Sequence, residues 1–156
     1  MKNLHLLFAS LSLACFIGPA TAQTPSADAN YGERSLAAGF TPDPQVVPMR
    51  AGGNLPASNI RSDCRGFITD APDLKLHYDA GSYPLIISVA AAADTTLVIN
   101  GPDGSWHCDD DGGVAGTNPS IRFDTPRGGR YDIWVGTYRA GALQDARLHI
   151  SEVRSQ

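Results

Sequence analysis

The run Trp106-His107-Cys108-Asp109-Asp110-Asp111-Gly112-Gly113 concentrates more chemically capable side chains than any other stretch of the sequence. Three adjacent carboxylates repel one another, so such a cluster is costly unless water or a cation neutralises it. Along an extended segment Asp109 and Asp111 point to one side, and Asp103, Asn100 or Asn118 from neighbouring turns could add oxygens. Hard oxygen ligands in a loop suit calcium, for which Asp109, Asp111 and Asp103 are the expected ligands. The spacing is not that of an EF-hand loop, whose acidic ligands alternate. A solvated acidic loop that keeps a sheet edge from pairing explains the same residues without a ligand. Zinc held by His107 and an aspartate would have too few soft ligands.

Nucleophilic catalysis finds less support. A serine-hydrolase triad needs a Ser in a sharp turn, a His and an Asp. No G-x-S-x-G elbow occurs, and the nearest fragment, Asp103-Gly104-Ser105-Trp106, reads as a hairpin turn. His77 and His149 each fall on the polar side of an alternating segment, where solvated strand surface is the simple reading. A hydrolase with an unrecognised site is the alternative to a non-catalytic protein. Trp106, Trp134, Tyr138 and Tyr83 could offer a carbohydrate or peptide platform. Trp134 lies out of phase with Tyr131, Ile133 and Val135, and a large aromatic on a face that is core is more often packing than contact.

Cys64 and Cys108 are the cysteines left once the first 22 residues are set aside. Those residues have the three-part form of a secretory signal: Lys2, an apolar run from Leu4 to Ile17, and an A-x-A site at Ala20 and Ala22. The apolar run is shorter than the roughly 20 residues that span a bilayer. Cys15 raises a rival, lipid attachment, but Ser12 stands where a lipobox wants Leu, so cleavage before Gln23 and a periplasmic or secreted product are expected. In an exported chain a pair of cysteines reads as a disulfide, and closing a loop of this length stabilises by about 4 kcal/mol in the chain-entropy model.

The elements that must position these residues are short strands. Gly 16 and Pro 11 make up about one residue in six, above average usage but without a repeat. Residues 23–30 are polar and expected to be flexible, with one domain over 31–156. Leu74 to Asp79 alternates apolar and polar residues. Leu85 to Val89, Thr95 to Ile99, Ser120 to Asp124, Tyr131 to Tyr138 and Arg147 to Ile150 are further strand candidates, and Ser35 to Phe40, Gln45 to Arg50 and Gly66 to Thr69 are weaker ones. Asn100-Gly101-Pro102-Asp103-Gly104, Asn118-Pro119, Pro126-Arg127-Gly128-Gly129 and Ala140-Gly141 mark turns between them. Eight or nine short strands predict an all-β, antiparallel, jelly-roll-like sandwich.

Three elements in order, Ala93 to Gly104, Asp109-Asp110-Asp111-Gly112 and Pro126 to Gly136, resemble the bacterial pre-peptidase C-terminal domain family across roughly Asp73 to Ser151. That resemblance implies a jelly-roll-like sandwich of the kind that follows a secreted peptidase's catalytic domain. No catalytic domain precedes it in this sequence. Charge narrows the partners. Without Lys2, eleven cationic and sixteen acidic side chains leave a net charge of −5, with ten scattered arginines and a single lysine. That balance gives no nucleic-acid footprint and no polybasic membrane patch. The expectation is an exported, monomeric, non-catalytic binding or accessory module for an extracytoplasmic protein or polysaccharide, with a calcium-stiffened surface protein as a further alternative.

Overall fold

Alternation of apolar and polar residues, broken by Gly, Pro and Asn at turns, makes this chain fold as two facing sheets. The computed structural model describes residues 23–114, 116–141 and 143–156; the expected signal segment, with Cys15, lies outside them. Among the described residues eleven strands occur: β1 (Glu33–Ala37), β2 (Gln45–Ala51), β3 (Leu55–Pro56), β4 (Phe67–Ile68), β5 (Leu74–Asp79), β6 (Leu85–Ala91), β7 (Thr95–Asn100), β8 (Trp106–Asp109), β9 (Ser120–Phe123), β10 (Gly129–Thr137) and β11 (Gln144–Ser151). Among the described residues the only helical turn is a short 3-10 segment, Ala57–Asn59.

One sheet runs β1-β5-β10-β4-β3, with β7 and β8 continuing from the other side of β10; the second runs β2-β11-β6-β9. Strands β5 to β7 and β8 to β11 pass back and forth between the sheets, which is the jelly-roll-like arrangement expected. Leu74, Leu76, Tyr78, Leu97, Ile99, Tyr131, Ile133 and Val135 from the first sheet meet Leu85, Ile87, Val89, Leu148 and Ile150 from the second in one core. Burying each such side chain is worth about 1.5–3 kcal/mol, and the alternation seen in the sequence fixes which residues go there.

A smaller core forms on the outer side of the first sheet. Trp134, Val98 and Ile68 are fully buried there with Ala57 and Cys64, beneath the segment that carries the 3-10 turn. The Cys64–Cys108 disulfide, with Cα atoms 5.4 Å apart, ties that segment to β8. Gly136 makes the close approach feasible, because a Cβ there would collide with the Phe67 carbonyl oxygen and the Ile68 side chain.

Several expectations need correction. The strand number among the described residues is eleven, because β3 and β8 lie in stretches that read as loop. The sandwich is not wholly antiparallel, since β1 runs parallel to β5. Residues 23–30 are tied down rather than free: Thr24 and Asn30 donate backbone amides to the Asp70 and Pro72 carbonyls, and Asn30 Nδ2 donates to Asp73. His149 is buried, not solvated, at 9% exposure.

Candidate functional site: an acidic end of the sandwich

At one end of the sandwich three connections converge: the turn from β6 to β7, the long loop from β8 to β9, and the loop from β10 to β11. Asn118 knits the first two together. Its side chain accepts from Thr95 Oγ1 at 2.7 Å and donates to the Ala91 carbonyl at 2.9 Å. The third joins them where the Tyr138 amide donates to the Asp94 carbonyl at 3.0 Å. Between the first and third lies a recess of about 230 Å³, lined by Ala93, Asp94, Thr137, Arg139, Gly141 and Gln144 among others.

Asp109, at the end of β8, has a backbone task. One carboxylate oxygen accepts the amides of Gly112 at 2.7 Å and Ser120 at 2.8 Å, bracketing the start and finish of the acidic loop. Asp110, Asp111 and Asp94 are left to repel one another. Burial, then Asp111, raises the Asp94 carboxyl above its ordinary range, with Arg139 opposing; burial, then Asp111, Asp109 and Asp94, raises Asp110, with Arg65 opposing. On the same connections Tyr138 and Leu143 each stand 44% exposed and Val114 77%, with Arg50 donating to the Leu143 carbonyl.

Asp103 does not join this group. It sits in the turn that precedes β8, where its carboxylate accepts the Ser105 amide at 3.0 Å and faces Arg127 at 3.5 Å. The whole of β8 separates it from Asp109. Among the described residues no three His, Cys, Asp or Glu side chains are grouped to share a metal ion. The structure thus brings Asp109 and Asp111 into one loop and leaves Asp103 apart.

The aromatic platform is likewise divided. Trp134 is fully buried, so its expected role as a ligand contact is corrected: it packs at 5.3 Å from Trp106 and donates its indole N–H to the Asp70 carbonyl. Trp106 is half-buried over it, and Tyr138 alone of the three projects from the acidic end. The histidines are scattered. His77 pairs with Glu33 at 2.9 Å on the outer face of the first sheet. His107 turns inward against Phe123, where burial lowers its pKa. His149 has both ring nitrogens buried without a partner. Among the described residues no serine hydroxyl bonds to a histidine.

Sequence reasoning missed Asp94, Arg139 and Leu143 as members of this end. Only the pairing of β7 with β10, Thr95 opposite Thr137, makes Asp94 and Tyr138 neighbours. The Asp-led start of β7 was the one signal that could have marked Asp94.

Fold and site define an all-β, two-sheet sandwich with a disulfide and an electronegative, partly apolar end. No protein family and no curated protein matches the chain. Among solved structures it is similar to that of Aeromonas hydrophila PliG, a periplasmic lysozyme inhibitor of g-type lysozyme. Identity is 14% over 80% of this chain and 98% of that one, with a TM-score of 0.38. No helix among the described residues is long and apolar enough to cross a membrane.

Proposed function

We propose that this protein is an exported, non-catalytic binding module whose acidic end docks onto a cationic protein surface. The observation that carries the reading is the crowding of Asp94, Asp110 and Asp111 at the end from which exposed Tyr138 and Leu143 also project, with Arg65 and Arg139 opposing the carboxylates and Arg50 held against Leu143. Bringing lysines or arginines of a partner to this end relieves like-charge repulsion, and the exposed tyrosine and leucine supply apolar contact of the kind found at interface hot spots. A net charge of −5 steers the same class of partner toward the protein from a distance.

A protein partner fits better than a polysaccharide, because a sugar platform needs an open aromatic plane and Trp134 is sealed in. The signal-like segment and the disulfide support export. The resemblance of residues 73–151 to pre-peptidase C-terminal domains supports an accessory role, in which the peptidase association would be a matter of partner. A resident calcium ion is the competing account of the same carboxylates. Asp109's bonds to two amides and Asp103's distance from the loop weigh against it.

The test is capture of partners from periplasm or medium with residues 23–156 as bait, compared with the D94N/D110N/D111N variant. Recovery of basic proteins that elute with salt and bind the variant at least about tenfold more weakly is the expected result. Equal recovery by the variant overturns the reading.

A further inference from the structure

We propose that residues 153–156 form a pH-sensitive strap over the second sheet, closed while His149 is neutral and lifted when its imidazole takes up a proton in mild acid. His149 of β11 and Ser88 of β6 stand opposite each other in register on the outer face of that sheet, where side chains ordinarily meet water, yet both are buried. The end of the described chain turns back over them. Ser151 Oγ makes the turn, accepting the Val153 amide at 3.0 Å and the Arg154 amide at 3.1 Å. Two bonds hold the far end: the Gln156 amide donates to Ser88 Oγ at 3.0 Å, and the Gln156 main-chain oxygen accepts the Val114 amide at 2.9 Å. The second bond fastens the strap to the loop that carries Asp110 and Asp111.

Under this strap the imidazole has no partner: both ring nitrogens are buried without a hydrogen bond. A proton would turn the ring into two buried donors and a charge, which the site does nothing to satisfy. The charged groups that bear on it are both cationic, Arg147 two residues back on its own strand and Arg154 on the strap. β2 opposes it with Val46 and β6 with Ser88, neither of which titrates. The carboxylates of the surrounding elements are engaged elsewhere. Asp43 accepts from the Ser151 hydroxyl and the Glu152 amide, Glu152 from Gly39 and Tyr78, while Asp145 pairs with Arg50 and Asp124 with Arg122 of β9. Water is therefore the relief open to an imidazolium. The strap is the part that can admit it, because two hydrogen bonds hold its far end whereas full ladders hold β2 and β6 against β11. Lifting the strap frees Val114, so acid loosens the acidic loop as well. That this weakens docking rests on the function proposed above.

The experiment is residue-resolved amide hydrogen exchange on the folded protein without a partner, at pH 7.5 and pH 5, expressed as protection factors so that the intrinsic pH dependence of exchange drops out. Protection of the Gln156 and Val114 amides should fall about tenfold in acid while the strand amides of β11 hold. In His149→Leu both amides should keep their protection at pH 5, although Asp94 and Asp110 still titrate beside the loop. In Ser88→Ala the Gln156 amide should lose protection at both pH values. Unchanged protection in the parent at pH 5, or an equal loss in His149→Leu, overturns the strap. A loss at Gln156 with Val114 unchanged overturns its link to the acidic loop. None of these results involves a partner, so a failed strap leaves the docking reading intact, and failed capture of basic proteins leaves the strap intact.

Discussion

The Tyr78 hydroxyl donates to Glu152 Oε1 at 2.6 Å, joining β5 of one sheet to the residue that follows β11 of the other. The same carboxylate accepts the Gly39 amide through both oxygens, at 2.9 and 3.1 Å. Burial, then Glu152, raises the phenol's pKa, so Tyr78 stays a donor at any ordinary pH. Glu152→Ala strands two donors and should cost about 2–4 kcal/mol, whereas Tyr78→Phe should cost about 1–2. Chemical denaturation of the two variants and the double variant checks this; the double should lose less than the sum of the singles.

Asp73 carries a pH dependence of unusual sign. Burial raises its pKa to about 6, although bonds from Asn30 and the Val135 amide pull it down. A carboxyl whose pKa is higher folded than unfolded stabilises fully below its unfolded value, and that contribution fades as pH rises through the folded one. Between pH 7.5 and 4.5 this group should add about 2 kcal/mol. Melting curves across that range, for the parent and for Asp73→Asn, measure it; parallel curves would remove Asp73 from the account.

His149 acts in the opposite direction. It faces outward from β11 opposite Ser88 and Val46, and burial first, then Arg147 and Arg154, lowers its pKa. The stability gained by keeping it neutral is present above the ordinary histidine range and is lost as pH falls through the depressed value. Replacing it with leucine removes two buried nitrogens that lack partners. His149→Leu should therefore gain about 1 kcal/mol at neutral pH and more in mild acid. A variant less stable than the parent at pH 5 would contradict this.

Asp109 offers a direct contest between backbone bracket and calcium ligand. Asp109→Ala leaves the Gly112 and Ser120 amides without their acceptor and should cost about 1–3 kcal/mol, equally in calcium and in chelator. Asp111→Ala, exposed at the loop tip, should change stability by no more than about 0.5 kcal/mol. A loss at Asp109 that appears only when calcium is present would restore the metal reading.

Reducing the Cys64–Cys108 bond should remove about 4 kcal/mol by the loop-closure argument. The change should be visible as a red shift in tryptophan emission, because the bond anchors the cover over Trp134. Unchanged emission on full reduction would show that the cover holds without it.

Strand existence was legible where alternation was clean: Leu74 to Asp79 and Tyr131 to Thr137 form strands as their patterns predict. The cysteine pairing was legible by count. β8 was not, because His107 and Asp109 after Trp106 look like loop until Cys108 and Asp109 are seen in register with Val98 and Leu97. His149 misled because strand alternation assigns a side, not an exposure. The stretch from Gln144 to Ser151 alternates correctly, but residues 152–156 fold back over that outer face, where the Gln156 amide donates to Ser88 Oγ. Nothing local encodes such a cover. The acidic end was half legible: Asp109 to Asp111 announced themselves, while Asp94 and Tyr138 become neighbours only through long-range pairing.

The outer core beneath residues 57–66 has a consequence for the order of events in the protein's life. Trp134 is sealed by a flap whose far corner is fastened only after two thiols have been oxidised. While both thiols stay reduced that fastening is absent, and the chain is a looser body. Oxidation of the two thiols closes the flap. The same bond that stabilises the finished molecule therefore also makes its completion depend on the redox state of its surroundings, without any change of sequence.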